Sequence, residues 1–136
     1  MQDRKVKSFQ KVGSETIEHI YPQNPTQEYW MEKKLAPHGN AKRLANSYKN
    51  SLGNLLLLSQ SKNATLQNYA FPEKRKLYRE GSFSENEVAE RYRTWGPNQI
   101  VKRGVSLLKF AEERWEFSFK ADWGINYRDC LVLKES

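Results

Sequence analysis

Short apolar stretches separated by turn-forming residues run along this chain, and two of them predict β-strands. Residues 16–21 (TIEHIY) place Ile17 and Ile20 among polar neighbours and end at Pro22, which is typical of an edge strand. The run NLLLLSQS from Asn54 has four consecutive leucines between turn-forming residues, which favours a buried strand over a helix. We therefore expect two strands, and an antiparallel pairing would make them a hairpin.

Helical patterns fill most of the remaining chain, which makes the predicted fold class α+β. Capping residues, apolar spacing and breakers predict helices from Asn24 to Leu35, from Ala41 to Asn50, from Ser61, after Pro72, after a Ser84–Glu87 capping box, and from Pro97 to Trp115. The first two helices would lie as an insertion inside the hairpin. The segment 117–133 alternates aromatic residues and contains the run CLVL, for which we consider a strand.

Length and composition indicate one folded domain over residues 1–136, with a core at 16–80 and a helical extension at 84–116. The single cysteine, Cys130, excludes an internal disulfide and a cysteine zinc cluster. No apolar run is long enough for a membrane span or a signal peptide, so we expect a cytoplasmic protein. The polar lead before the first motif is also what the cut end of a longer protein would look like.

An excess of basic residues points to a polyanionic partner. The chain has 23 Lys and Arg against 16 acidic residues, a net charge of +7, which favours a polyanionic partner such as nucleic acid. The most basic segment predicts phosphate contacts and contains Lys74, Arg75, Lys76 and Arg79. A solvated helical face is the alternative for this segment.

Four residues form a candidate chemical site. Glu18 and His19 are adjacent in the first predicted strand, so their side chains face different ways and can do different work. If the strands pair antiparallel, both residues come beside Asn54, and the following helix brings Asn63 across from Glu18. Each residue has an ordinary alternative role, since a lone histidine is usually structural and asparagines often cap turns and helices.

The sequences EHIYP, GNLLLLSQSKN and NYAFPEKRKLY resemble the HNH (ββα-metal) nucleases. Within them, the chain is most similar to the DUF1524 branch, the C-terminal nuclease module of GmrSD-type modification-dependent restriction proteins. The resemblance covers roughly residues 16–80. A later pattern is also similar to that branch and consists of Trp95, Ile100, Arg103, Leu107, Ala111 and Trp115.

The resemblance implies a ββα-metal core with a role for each residue of the candidate site. Glu18 and Asn63 take the positions of metal ligands, His19 that of the general base, and Asn54 that of the residue that orients the imidazole. The chain departs from compact relatives in two ways, because about 35 residues separate His19 from Asn54 and because the ligand set contains no imidazole. Lys74 matches a lysine of the DUF1524 pattern.

The chemistry of these residue types agrees with the resemblance. Carboxylate and amide oxygens suit Mg²⁺ or Mn²⁺, and a neutral histidine can take a proton from water near neutral pH. We expect a metal-dependent DNA endonuclease acting against foreign or modified DNA, with an N-terminal NTPase or sensor domain as its partner in a longer protein. A catalytically inactive nucleic-acid-binding module and a protein-interaction domain are the alternatives.

Two remaining groups of residues are expected to be structural. His38 lies in a Pro-His-Gly turn and is expected to be solvated. The tryptophans are expected in the core rather than as platforms for bases, and they are Trp30, Trp95, Trp115 and Trp123.

Overall fold

The computed structural model describes residues 16–32, 35, 41–58, 66 and 68–132. Within this part the chain forms the strands β1 (Thr16–His19) and β2 (Leu55–Leu58), a 3-10 turn (Leu52–Asn54) and the helices α1 (Glu28–Glu32), α2 (Ala41–Lys49), α3 (Phe71–Tyr78), α4 (Phe83–Arg91), α5 (Pro97–Trp115), α6 (Phe119–Trp123) and α7 (Tyr127–Leu131). The predicted α+β class is confirmed. In the stretches that the structure describes, none of the helices is both long and apolar enough to cross a membrane.

The two strands form the antiparallel hairpin that the sequence predicts. Glu18 lies opposite Leu56 and His19 opposite Leu55. Side chains alternate between the faces of the sheet, so that Glu18 and Leu56 are buried while Leu57 is half-exposed. The inner face therefore joins the core, and the face that carries His19 is the more open one.

The insertion in the hairpin contains α1 and α2. Helix α1 begins at Glu28 rather than at the predicted Asn24 cap. The backbone N–H of Thr26 donates instead to Asn68 Oδ1 at 2.7 Å, which holds the preceding chain in a non-helical course. Helix α2 has the predicted bounds within one residue. The helix predicted from Ser61 falls largely outside the described residues.

The main core packs the inner face of the hairpin against α1, α3, α4 and the start of α5. Its fully buried members include Ile20, Trp30, Leu58, Leu66, Phe71, Tyr78, Trp95 and Ile100. Gly53 permits a close approach between two segments of this core, because a Cβ atom at that position would lie 1.8 Å from the carbonyl oxygen of Ile100. The turn before β2 therefore packs directly on the backbone of α5.

The C-terminal segment folds back onto α5 and forms a second, smaller core. Leu108 of α5 is buried with Leu131 and Val132. A Cβ atom on Gly104 would meet Leu131 Cδ2 at 2.7 Å, so the missing side chain makes room for Leu131. The strand that we considered for the CLVL run is wrong, because Cys130 and Leu131 end helix α7.

The expectation that all four tryptophans are core residues is half correct. Trp30 and Trp95 are fully buried, whereas Trp115 and Trp123 are 65% and 61% exposed. Trp115 ends the long helix α5, and Trp123 ends the short helix α6. Both lie beyond the main core, which covers only one end of α5.

The capping box of α4 lies two residues before the predicted one. Ser82 and Glu85 form it, with the Ser82 N–H donating to Glu85 Oε2 at 2.7 Å and Ser82 Oγ accepting from the Glu85 N–H at 3.5 Å. The prediction of Ser84 and Glu87 is therefore wrong. The segment contains the same Ser-x-x-Glu pattern twice, and burial of Glu85 selects the first.

Replacing Ser82 with Ala is expected to lower the free energy of unfolding by about 1 kcal/mol, because the helix loses its capping acceptor. The matched change Ser84→Ala removes the same hydroxyl from an exposed position and is expected to have little effect. Urea denaturation of both variants measures the difference. Equal losses, or a larger loss for Ser84→Ala, would contradict the assignment of the cap.

Candidate active site

The candidate site lies at the end of β1, where two neighbouring side chains point in opposite directions. Glu18 is 1% exposed and faces the core, whereas His19 is half-buried on the other face of the hairpin. The period of two in a strand causes this division. The two adjacent side chains therefore lie in different surroundings, one inside the protein and one on the open face of the hairpin.

Glu18 is part of a buried polar cluster with two residues of α3. Lys74 Nζ lies 3.2 Å from Glu18 Oε1, and the Tyr78 hydroxyl donates to Glu18 Oε2. Lys74 Nζ also donates to the carbonyl oxygens of His19 at 3.3 Å and Ile20 at 2.9 Å. The cluster thus fastens α3 to the strand end that carries His19.

Burial dominates the electrostatics of this cluster. It raises the pKa of Glu18 above its ordinary value, although the Lys74 charge opposes the change. It lowers the pKa of Lys74, against the attraction of Glu18. Burial and the Glu18 charge together raise the pKa of Tyr78 well above its ordinary value, so its hydroxyl keeps the proton that it donates.

The position of Glu18 does not fit an open metal ligand. Both carboxylate oxygens are engaged inside the protein, and the Lys74 ammonium would repel a divalent cation at the same carboxylate. Asn63, the other predicted ligand, lies outside the described residues. In the described ranges, no group of three or more His, Cys, Asp or Glu side chains could hold a metal ion.

Asn54 is fully buried and ties together three segments around the site. Its Oδ1 accepts from the Tyr21 N–H at 2.8 Å and from Trp95 Nε1 at 2.9 Å. Its Nδ2 donates to the carbonyl oxygens of Tyr21 at 3.0 Å and Lys49 at 2.9 Å. These contacts use the two donors and the two acceptor positions of the amide. We expected Asn54 to contact the His19 ring directly. Its side chain instead bonds the backbone of Tyr21 and Lys49 and the indole N–H of Trp95.

The His19 ring instead contacts Asn50, which the sequence analysis did not single out. His19 Nε2 lies 3.3 Å from Asn50 Oδ1, and Gln23 Nε2 lies 3.4 Å from the same oxygen. Burial and the Lys74 charge lower the pKa of His19, and Asn50 opposes them. The ring is therefore neutral near neutral pH and able to accept a proton. No motif marks Asn50, because its role depends on how α2 packs beside β1.

The basic segment of α3 divides between interior and surface. Lys74 is fully buried, which argues against its expected contact with DNA phosphates. Arg75 donates to the carbonyl oxygen of Ala89 through Nε at 3.0 Å and Nη2 at 2.8 Å, so it joins α3 to α4. Lys76 and Arg79 are exposed. Of the four residues, these two are the exposed ones and could contact a large ligand.

Arg103 is a further residue of the site's framework whose contacts the sequence does not reveal. Its Nη1 donates to the carbonyl oxygens of Gly53 at 3.0 Å and Leu55 at 2.7 Å. These two carbonyls flank Asn54, so Arg103 fixes the turn that places the buried amide.

Comparisons with known proteins identify the family. No curated protein and no solved structure gives a significant match to the chain. The family model for the C-terminal domain of GmrSD restriction endonucleases matches residues 1–110, a span that contains the hairpin, the buried cluster and most of α5. The chain therefore belongs to the family of GmrSD restriction endonuclease C-terminal domains.

Proposed function

We propose that this chain is a DNA endonuclease of the HNH kind in which His19 is the general base. The observation that carries the proposal is the placement of a neutral histidine on the open face of the hairpin, in a domain of restriction endonucleases. A neutral imidazole at this position can reach a large substrate, which a buried histidine could not. Restriction of foreign or modified DNA, in the cytoplasm and beside an N-terminal NTPase or sensor domain, belongs to the same proposal and rests on the family.

The proposed reaction is hydrolysis of a phosphodiester bond. His19 takes a proton from water as the water oxygen forms a bond to phosphorus, and the bond between phosphorus and the 3′ oxygen breaks. The 3′ oxygen gains a proton from solvent and leaves as a hydroxyl, and the other product carries a 5′ phosphate. A general base of this kind contributes about 10²–10⁴-fold to a rate.

A requirement for Mg²⁺ or Mn²⁺ remains an expectation from the family resemblance. The described residues do not supply the predicted ligand pair, because the Glu18 carboxylate is committed to Lys74 and Tyr78.

Helix α2 supports a DNA-binding surface next to the site. The sequence of this helix, AKRLANSYK, contains basic residues and no acidic ones. Lys42 and Arg43 are exposed, and Asn50 follows the helix directly beside His19. On α3, by contrast, Lys76 has Glu73 and Glu80 at helical spacings of three and four residues. We therefore propose α2 as the main phosphate-contacting surface, with Lys76 and Arg79 as a secondary one.

Neutralising Lys42 and Arg43 together, as the double Ala variant, is expected to weaken binding to duplex DNA of any sequence. Each lost phosphate contact lowers the slope of log K against log salt by about 0.9, so two contacts remove about 1.8. The double Ala variant of Lys76 and Arg79 changes the net charge equally and, because these residues form the secondary surface, is expected to lower the slope less. Fluorescence anisotropy across a salt series compares the two, and a larger slope change in the Lys76 and Arg79 variant would assign the main surface to α3.

A nicking assay on supercoiled plasmid tests the function itself. We expect conversion to open circles with Mg²⁺ or Mn²⁺ and none with EDTA. Plasmid binding without cleavage under every metal condition would favour the inactive nucleic-acid-binding module. Neither binding nor cleavage would favour the protein-interaction domain and reject the endonuclease.

A further inference from the structure

We infer that Asn50 is the positioning residue that fixes the His19 imidazole in the tautomer with a free Nδ1. The inference starts from the contact between Asn50 Oδ1 and His19 Nε2, at 3.3 Å. The effect of this contact on catalysis rests on the proposed function. The tautomer of His19 does not, because it is a property of the folded chain alone.

The direction of the contact follows from the other half of the Asn50 amide. Asn50 Nδ2 donates to the carbonyl oxygen of Asn46 at 3.0 Å. A carbonyl oxygen can only accept, so this bond assigns the nitrogen to Asn46 and leaves Oδ1 facing His19. Gln23 Nε2, at 3.4 Å from the same oxygen, agrees with an acceptor at that position. The arrangement therefore places the imidazole proton on Nε2 and the lone pair on Nδ1.

The framework around the site holds both partners of this contact. Asn54 bonds the backbone of Tyr21, two residues after His19, and the carbonyl oxygen of Lys49, one residue before Asn50. Lys49 Nζ donates in turn to the carbonyl oxygen of Gln23 at 3.0 Å. A single buried amide thus fixes the distance between the strand that carries His19 and the helix end that carries Asn50.

The consequence for the reaction concerns which ring nitrogen meets water. With Nε2 protonated and held by Asn50, Nδ1 is the atom that can accept the proton of the attacking water. Without this partner the ring rotates and populates both tautomers, so a smaller fraction of molecules presents an acceptor in the correct place. Asn50 acts through His19 and is therefore a positioning residue, not a catalytic one.

Two substitutions separate the acceptor from the rest of the Asn50 side chain. Asn50→Asp keeps an oxygen that accepts from Nε2–H and loses the donor to Asn46, whereas Asn50→Leu has a similar size and neither function. We expect Leu to lower single-turnover cleavage of saturating DNA about ten- to a hundredfold, and Asp to restore turnover to within a few-fold of wild type. Asn98→Leu makes the same substitution at an exposed position of α5, away from His19 and α2, and is expected to cleave bound DNA normally. Equal losses for Asp and Leu would overturn the inference.

A measurement on the protein without DNA tests this inference separately from the proposed function. In ¹⁵N-histidine-labelled protein at a pH where the imidazole is neutral, NMR should show a protonated Nε2 and an unprotonated Nδ1 for His19. His38→Gln identifies the His19 signals, and in Asn50→Leu the two nitrogen shifts should move towards each other as tautomers mix. A protonated Nδ1 in the wild type, or shifts unchanged in Asn50→Leu, would reject the role of Asn50 whether or not the chain cuts DNA.

Discussion

Replacing Glu18 with Gln is expected to destabilise the folded chain by about 3–5 kcal/mol, the range found when one partner of a buried ion pair is removed. The change leaves the Lys74 ammonium in the core without its carboxylate. It also weakens the contact that the Tyr78 hydroxyl makes with the same group. Urea unfolding monitored by tryptophan fluorescence measures the loss, since Trp30 and Trp95 are both buried in this core.

Two controls show whether burial of the pair causes the loss of stability: an exposed ion pair and a double variant. Glu87→Gln breaks the pair between Glu87 and Arg91 on α4, whose side chains are 42% and 58% exposed, and should cost no more than about 0.5 kcal/mol. Combining Glu18→Gln with Lys74→Met should destabilise by less than the sum of the single changes, because the double variant leaves no unpaired charge in the core. If Glu18→Gln lowered the free energy of unfolding by less than about 1 kcal/mol, or if the two single changes were strictly additive, the buried pair would not be stabilising the packing of α3 against β1.

Replacing His19 with Ala is expected to lower plasmid nicking by about 10²–10⁴-fold, the usual contribution of a positioned general base. The side chain is half-buried on the open face of the hairpin, so its removal should change the free energy of unfolding little. A nicking time course, with thermal unfolding of the same preparation, separates loss of chemistry from loss of fold.

His38→Ala is the control for the second histidine of the chain, and it should nick plasmid at the wild-type rate. Purifying both variants in parallel with wild type controls for contaminating nuclease. Nicking by His19→Ala within a few-fold of wild type would remove His19 from the reaction and with it the proposed mechanism.

The hairpin and most helices could be predicted because their signals are local. Four leucines in a row, the prolines at the starts of α3 and α5, and the apolar period of α2 each depend on neighbouring residues alone. The pairing of Glu18 and His19 with the start of β2 then follows from the geometry of antiparallel strands. Asn63, which completes the expected ββα-metal core, lies outside the described residues and stays a prediction.

Two residues make contacts other than those expected from the sequence, and in both cases the deciding contact joins distant segments. Lys74 belongs to the most basic stretch of the chain, and only the packing of α3 against β1 shows that its ammonium faces Glu18, 56 residues away. Asn54 has the expected place beside His19, yet its amide is used by backbone groups and by Trp95. The sequence places Lys74 and Asn54 near the site, but it does not show which groups their side chains contact.

At the C-terminus the local signals themselves are ambiguous. The CLVL run has the apolar character of a strand, but there is no third strand beside it in the described sheet, and α5 offers Gly104 as a place for Leu131. Likewise, two overlapping Ser-x-x-Glu patterns lie at the start of α4, and the burial of Glu85 distinguishes them. In both cases tertiary packing decides between options that the sequence leaves equal.

The buried amide of Asn54 has a consequence for the order in which the chain acquires its structure. Its partners include Tyr21, 33 residues away, and Trp95, 41 residues away on the other side. The entropic cost of closing these loops comes before the bonds can stabilise the fold, so the bonds are expected to form late and together in folding. During synthesis the hairpin strands emerge well before Trp95 does. The proposed general base would therefore be held in place only after the chain has been synthesised as far as Trp95.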